Sequence, residues 1–385
     1  VFFFCLLFIT PGFKEDIQQS IKIKLNQAVL FDSLELSDDR FKHFYYKSIY
    51  SIENLLNRKN QHKKIEINIP FEELEKIKND RKKALKLKRL INPTEVNISI
   101  KFMGKNYKAR ARIKGDLSNH WSNNKQWSLR IELRNDKTIF GLNSFGLMAH
   151  ETRDFPYNYL IEEMLKSYGL LNTFYHPVKV KLNGENWGIM LLEEQYSDSF
   201  FARNKIKEAP IFRFRSEINE QLKRKHKNIP NIDNINKWQG YLDVSSGYKK
   251  VYKKTNIPGE KTNETLYSVA KSIHQSLELN QEEYFDQIIN FLDVEKFAKA
   301  YAIISVFGSN TSLNYNNIRY YLNPYTLKLE PILRNHLSKE ISENFVIKQK
   351  IFLLLSKQTN FKDIFIKTVI DIENNLELIN KKNIE

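Results

Sequence analysis

Cysteine is nearly absent from this chain: of 385 residues only Cys5 carries a thiol, and it lies inside an apolar run at the start. The globular part therefore has no disulfide, no Cys-based zinc site and no thiol nucleophile, which suits an exported protein. The eight His residues include no His-Glu-x-x-His pair, and His120, His150 and His176 stand too far apart in sequence to argue as metal ligands. No Gly-x-Ser-x-Gly elbow occurs, no internal repeat, and no zinc-finger spacing or RNA-binding aromatic motif. The run Val1 to Thr10 (VFFFCLLFIT) is too short to cross a bilayer alone, which takes about 20 residues. It stops at Pro11-Gly12, and the chain begins without Met, so residues 1–13 read as the tail of a signal-peptide core or membrane anchor, with a buried strand as the alternative.

Apolar residues make up 41% and aromatics 13%, enough to bury one large core or two smaller ones. The formal charge is +16 and the pI about 9.4, which would suit a polyanion such as nucleic acid, an anionic membrane face or a nucleotide. The chain is also rich in Lys, Ile and Asn together, a bias that coding preference produces without binding. With no recognition motif beside the charge, nucleic acid is not expected.

Residues 14–61 show no firm period beyond a strand and a helix around Asp39 to Leu56. Ile65 to Ile69 then alternates as a half-buried strand, Phe71 to Leu90 carries apolar groups at helical spacing, and Glu95 to Phe102 and Tyr107 to Gly115 alternate again. The turn Gly115-Asp116-Leu117-Ser118-Asn119 leads through His120-Trp121 to a strand at Trp127 to Leu133. A helix over Tyr157 to Tyr168 precedes strands at Val178 to Leu182 and Trp187 to Leu192, joined by the hairpin signal Asn183-Gly184-Glu185-Asn186. These segments predict a twisted antiparallel sheet with one inserted helix over residues 62–216. A basic loop or insertion follows at 217–262. The remainder, 263–385, is mainly helical: Glu264 to Leu279, Gln281 to Leu292, Val294 to Phe307, and about Glu340 to Ile379.

The helical half is interrupted by Asn310-Thr311-Ser312-Leu313-Asn314-Tyr315-Asn316-Asn317-Ile318-Arg319-Tyr320-Tyr321-Leu322, running on to Glu330-Pro331-Ile332. This is an Asn-rich loop feeding a β-hairpin, the kind of loop on which phosphate and metal chemistry is held. Together with Arg110 to Ser118, Tyr157 to Met164 and Leu182 to Gln195, it resembles the CotH family of atypical, spore-coat-type protein kinases over roughly residues 62 to 340, with the four segments in the family's order. The resemblance implies an α+β, divergent protein-kinase-like fold, with an antiparallel-sheet N-terminal lobe and a mainly helical C-terminal lobe. It also implies ATP with Mg²⁺ or Mn²⁺, and transfer of the γ-phosphoryl group to Ser or Thr of a secreted or cell-surface protein outside the cytoplasm.

Phosphoryl transfer needs cations on the triphosphate, a metal held by oxygen ligands, and a group that orients the attacking hydroxyl. Gly115 and Ser118 lie on a tight turn whose backbone N–H groups can approach phosphates, and Lys114, Lys125 and Arg130 stand on or beside the flanking strands. Glu163 is placed to hold such a lysine, as a helix Glu does in protein kinases. Glu194 ends a buried strand and resembles the family's segment between lobes. Asn317 matches the family's metal-binding Asn. Thr311 stands where the family has an early acidic residue, and Asn335, preceded by Arg334, where it has a metal-binding Asp. Those two departures leave a catalytically impaired pseudokinase acting as a coat or surface scaffold, or a basic module docking on surface polymer, as alternatives to an active kinase. In the active reading Glu330 or Glu340 replaces the missing acid.

Overall fold

The computed structural model describes residues 63–115, 118–149, 152–153, 157–215, 241–244, 272, 285–313, 317–336 and 350–382. The apolar run, residues 14–61, the expected helix over 264–279 apart from residue 272, and Glu340 lie outside these. The described residues belong to two compact units, one within Ser48–Glu162 and Asn172–Glu208, the other within Glu163–Leu171 and Ala209–Glu385.

The first unit is a closed barrel of seven strands in the order β1-β2-β3-β4-β5-β7-β6. They are β1 (Lys64–Asn68), β2 (Val96–Phe102), β3 (Lys105–Ile113), β4 (Leu129–Leu133), β5 (Ser144–Met148), β6 (Tyr175–Leu182) and β7 (Glu185–Glu194). Neighbours pair antiparallel except at the closure, where β1 lies parallel to β6 with Lys64 opposite Lys179 and Ile67 opposite Leu182. Closure leaves no strand edge exposed. It is reinforced by Asn183 at the tip of the β6–β7 hairpin. Its side-chain oxygen accepts from Ile69 N–H at 2.7 Å and its amide donates to Ile69 C=O at 2.9 Å, extending the β1–β6 contact by one residue. Period-2 alternation turns Ile65, Ile100, Ala111, Ile131, Leu147 and Val180 inward, all at most 1% exposed.

Helix α1 (Phe71–Leu87) follows β1. Glu72 and Glu73 sit in its first turn and Lys86 in its last, matching the helix dipole, and it ends at Lys88 in the left-handed conformation. Ile77 and Ala84 are its buried residues, and it packs on β2 and β3. The unit boundary falls within α2 (Tyr157–Ser167), and α3 (Asp198–Asn204) follows β7.

The second unit contains a four-stranded antiparallel sheet in the order β11-β10-β8-β9, made of β8 (Ile211–Arg215), β9 (Tyr241–Val244), β10 (Arg319–Leu322) and β11 (Leu329–Ile332). Its helices among the described elements include α4 (Phe285–Asn290), α5 (Val294–Phe307), α6 (Lys350–Leu355) and α7 (Thr359–Lys382). Helix α5 is capped by Asp293, whose carboxylate accepts from Lys296 N–H at 3.1 Å, and ends at Gly308. Its residues are buried nearly all round, and it packs on α7, with Tyr301 of α5, Phe352 of α6 and Phe361 of α7 forming a ring cluster whose centroids lie 4.9 to 6.2 Å apart.

The expected kinase-like architecture is therefore corrected. The N-terminal strands close into a barrel instead of forming an open sheet, and the C-terminal unit carries its own four-stranded sheet instead of being mainly helical. Alternation is a local signal that marks strands but does not say that the first will pair with the sixth. Strand β5 is buried along its whole length and so shows no alternation. Strand β9 lies inside the stretch read as a basic loop.

Candidate functional site

The side chains on the outer wall of the barrel form a row set by strand register. Arg112 on β3 stands opposite Arg130 on β4, Arg130 opposite Gly146 on β5, Gly146 opposite Glu193 on β7, and Glu193 opposite Tyr175 on β6. Glu193 is 1% exposed, and a buried carboxylate is tolerated only when its oxygens are satisfied. Here Lys114 Nζ reaches one oxygen at 2.6 Å, and Arg153 reaches the other through Nε at 2.6 Å and Nη2 at 2.5 Å. Tyr175 OH donates at 3.2 Å and Gln195 Nε2 at 3.3 Å. To reach Glu193 the Lys114 chain crosses Gly146, where an added Cβ would lie 3.0 Å from Nζ, so the missing side chain at 146 makes room for the lysine.

The segment after Lys114 is shaped by a second close approach. Gly115 has φ +103°, and a Cβ there would lie 2.1 Å from His120 Cγ, so the imidazole packs directly on the glycine backbone. Trp121 Nε1 donates to Gly115 C=O at 3.2 Å. His120 Nδ1 lies 3.0 Å from Ser128 Oγ, which itself accepts from Ala149 N–H at 3.0 Å. Ser128 Oγ thus bridges the Ala149 N–H and the imidazole and fixes the orientation of the ring. Burial, with Arg153 and Lys114 adding to it, holds the His120 pKa down to about 3, so the ring is neutral beside the two cations.

The other residues singled out from the barrel sequence fall elsewhere. Ser118 is exposed on a short 3₁₀ turn, its carbonyl accepting from Trp121 and Ser122 N–H at 3.0 and 2.7 Å. Lys125 is exposed on the following loop. Arg130 lies in the row itself. The Glu163 carboxylate is half exposed, 3.8 Å from Lys166, and the carboxylate that Lys114 meets is that of Glu193. Glu194, adjacent but on the opposite face of β7, is fully buried and accepts from Arg203 Nη2 at 2.6 Å and from Phe174 N–H at 3.0 Å. Glu193 and Arg153 escaped the sequence reading. The doublet Glu193-Glu194 closing a buried strand was a usable signal, since alternation sends one carboxylate to each face and each then requires a partner. Arg153 had no pattern to mark it.

In the second unit, a buried relay gathers the loop residues. Ser309 Oγ lies 2.9 Å from Ser312 Oγ, which lies 2.6 Å from His336 Nδ1, and all three residues are fully buried. Ser312 thereby ties the Asn-rich loop to the segment after β11, and Thr311 and Asn335 are the residues that precede the two bonded side chains. Asn317 joins them, its amide donating to Thr311 C=O at 2.7 Å, and Asn335 holds a left-handed φ of +60°. The donor set does not fit a hard divalent cation, which favours carboxylate oxygens. Among the described residues no three His, Cys, Asp or Glu side chains gather as ligands. Glu330, the expected replacement acid, is 1% exposed and already held by Lys296 Nζ at 2.8 Å and Asn323 Nδ2 at 2.8 Å. Tyr321 is pushed up by burial and then by Glu330, so it remains a neutral phenol.

No curated protein matches the chain. The family described as CotH kinase protein matches residues 111–337, more than half of the sequence and inclusive of both the Lys114–Glu193 pair and the Asn-rich loop. This chain belongs to the CotH family.

Proposed function

We propose that this chain binds a nucleoside triphosphate through Lys114 and Arg153, and that it acts outside the cytoplasm as a nucleotide-dependent binding or scaffold protein in which phosphoryl transfer is impaired. One observation carries the reading. Two cations, Lys114 and Arg153, converge on a single buried carboxylate, Glu193, beside an imidazole kept neutral, so the cluster retains net positive charge for an anionic group. Glu193 holds both cations in place before ligand arrives, which lowers the ordering cost of binding.

Transfer to a Ser or Thr hydroxyl would require a group to take the hydroxyl proton and a metal to neutralise the γ-phosphoryl oxygens. Thr311, Asn317 and Asn335 supply amide and hydroxyl oxygens without negative charge, and Glu330 is neutralised by Lys296. An active kinase remains the second reading, favoured by the Ser309–Ser312–His336 relay that ties the Asn-rich loop to the residue after Asn335, and by the Asn317 amide bonded to Thr311 C=O. Export, and a surface or coat protein as partner, rest on the apolar run at residues 1–10 and the absence of cysteine after it.

Calorimetric titration of ATP with and without Mg²⁺ or Mn²⁺ tests this. The expected result is binding near the micromolar range, about −8 kcal/mol, little changed by metal, and weakened at least about tenfold in Lys114→Ala with the fold intact. Asn335→Asp should add metal dependence. No heat in any condition overturns nucleotide binding, and metal-dependent transfer of label to a protein hydroxyl by the wild-type chain would establish the kinase reading instead.

A further inference from the structure

Helix α1 divides into two halves of different charge. In the first half the charges are matched, Lys76 lying 2.9 Å from Glu73 and Lys78 2.8 Å from Glu75. From Lys82 to Thr94 no acidic residue occurs, and the stretch carries the cations Lys82, Lys83, Lys86, Lys88 and Arg89. The acids at its borders are engaged elsewhere, Asp80 by Thr94 N–H at 2.6 Å and Glu95 by Arg110 at 3.3 Å. Among the described residues none of these five side chains has an ion pair or a hydrogen bond. Lys78, Lys82 and Lys86 also succeed one another at a spacing of four, where like charges on a helix repel. The helix dipole favours cations in the last turn but does not call for Lys82 and Lys83 before it or for Arg89 beyond the helix end.

Interleaved with these charges are apolar side chains that the core does not take. Leu85 is 42% exposed, Leu87 57% and Ile91 54%. Exposed leucines scattered singly are ordinary, but these three stand within one short stretch where the chain turns away from the helix. Lys88 holds φ +53° there, and Arg89 N–H bonds back to Ala84 C=O at 3.1 Å, so the last helical turn and the residues after it form a tied corner. A soluble polyanion would use the charges and gain nothing from exposed leucines. A lipid surface uses both, because its anionic headgroups overlie apolar chains. The net charge of +16 on the whole chain acts in the same direction.

We propose that the C-terminal corner of α1, Lys82 to Ile91, docks on the surface of an anionic lipid bilayer. Leu85, Leu87 and Ile91 enter the headgroup layer, and the five cations meet the lipid phosphates. The anionic surface also removes the repulsion along Lys78, Lys82 and Lys86. The contact is peripheral: α1 is 17 residues long and charged along its length, so it rests at the interface and does not span. The inference is independent of the nucleotide reading, since neither Lys114 nor Arg153 belongs to this corner.

The test is co-sedimentation of the full chain with vesicles of phosphatidylcholine mixed with phosphatidylglycerol, and with vesicles of phosphatidylcholine alone. Wild type is expected to bind the anionic vesicles at least about tenfold more tightly and to lose most of that preference at high salt. Lys86→Gln with Lys88→Gln should weaken binding to the anionic vesicles at least about tenfold, and Leu87→Ser with Ile91→Ser at least about fivefold. All four side chains are exposed, so the melting temperature without vesicles should not fall in either variant. Two controls lie outside the corner. Lys101→Gln with Lys179→Gln removes the same charge from exposed positions on β2 and β6, and Met103→Ser removes an exposed apolar side chain past the other end of β2. Each should leave vesicle binding within about twofold of wild type. A loss in the Lys101 and Lys179 variant equal to that in the Lys86 and Lys88 variant would reduce the effect to net charge and overturn the docking surface. Binding that needs the lysines but not Leu87 and Ile91 would point to a soluble polyanion and overturn the bilayer as occupant. Equal binding to both kinds of vesicle, spared by both corner variants, would assign membrane contact to the apolar run at residues 1–10 and overturn the inference as well.

Discussion

His120 shows how one residue can be fixed by its surroundings without being available to titrate. In an unfolded chain its pKa is about 6.5, whereas burial beside Arg153 and Lys114 lowers it to about 3 in the folded state. Below pH 6.5 the unfolded chain takes up a proton that the folded chain refuses. The contribution of this group is therefore complete above pH 6.5 and declines as pH falls toward 3, by at most about 1.4 kcal/mol per pH unit. Urea midpoints measured at pH 7 and pH 4.5 should fall further apart for wild type than for His120→Gln, and equal separation would show that the ring is not held neutral. The same ring closes off position 115. Gly115→Ala combines φ +103° with a Cβ 2.1 Å from His120 Cγ, and should cost more than about 2 kcal/mol by denaturant titration. Gly115 and Lys114 could be named from the sequence because a glycine after alternating residues marks a turn. The ring pressed on that glycine and the carboxylate 79 residues away could not, because both depend on how separate strands come into register.

At the scale of elements, α1 does more than cover β2 and β3. Arg81 on this helix donates from Nε to Trp121 C=O at 2.7 Å and from Nη2 to Ser122 C=O, Asn123 C=O and Asn124 Oδ1 at 3.0 to 3.2 Å, with its guanidinium 5.2 Å above the Trp127 ring. A single side chain thus gathers the loop that carries His120 toward Lys114. Lysine has neither the fork nor the flat face, so Arg81→Lys should destabilise by about 2 kcal/mol and loosen this loop, read as faster amide exchange over residues 119–125. Unchanged exchange would show that the loop holds itself. Helix α1 was legible because its apolar groups recur at helical spacing, with the predicted end at Leu90 shortened to Leu87 by the left-handed Lys88. The strand Val96–Phe102 alternates buried and exposed at every position and was equally plain. Strand β5 was not, since a strand with both faces buried carries no period, and the sequence reading passed over the segment that supplies Gly146 to the site.

The whole barrel depends on residues that lie outside the family's matched region. That region begins at residue 111, inside β3, and so omits β1, α1, β2 and most of β3. Yet β1 is the strand that closes the sheet, antiparallel to β2 on one side and parallel to β6 on the other. Without it, β6 would expose a bare edge, and Val178, Val180 and Leu182 would lose their inward neighbours Ile65 and Ile67. An open sheet in place of a barrel was the natural expectation from sequence, because pairing between Lys64–Ile67 and Lys179–Leu182 joins segments more than a hundred residues apart and leaves no local trace. The consequence is testable by truncation. A chain of residues 63–385 should keep the strand signature in circular dichroism and a cooperative thermal transition, since every barrel strand is present. A chain of residues 111–385, which retains the matched region and Lys114, Arg153 and Glu193, should bind a hydrophobic dye, aggregate through the freed edges of β4 and β6, and bind no ATP. A soluble, cooperatively melting 111–385 chain would show that β1 to β3 are an addition to the fold and not part of its closure.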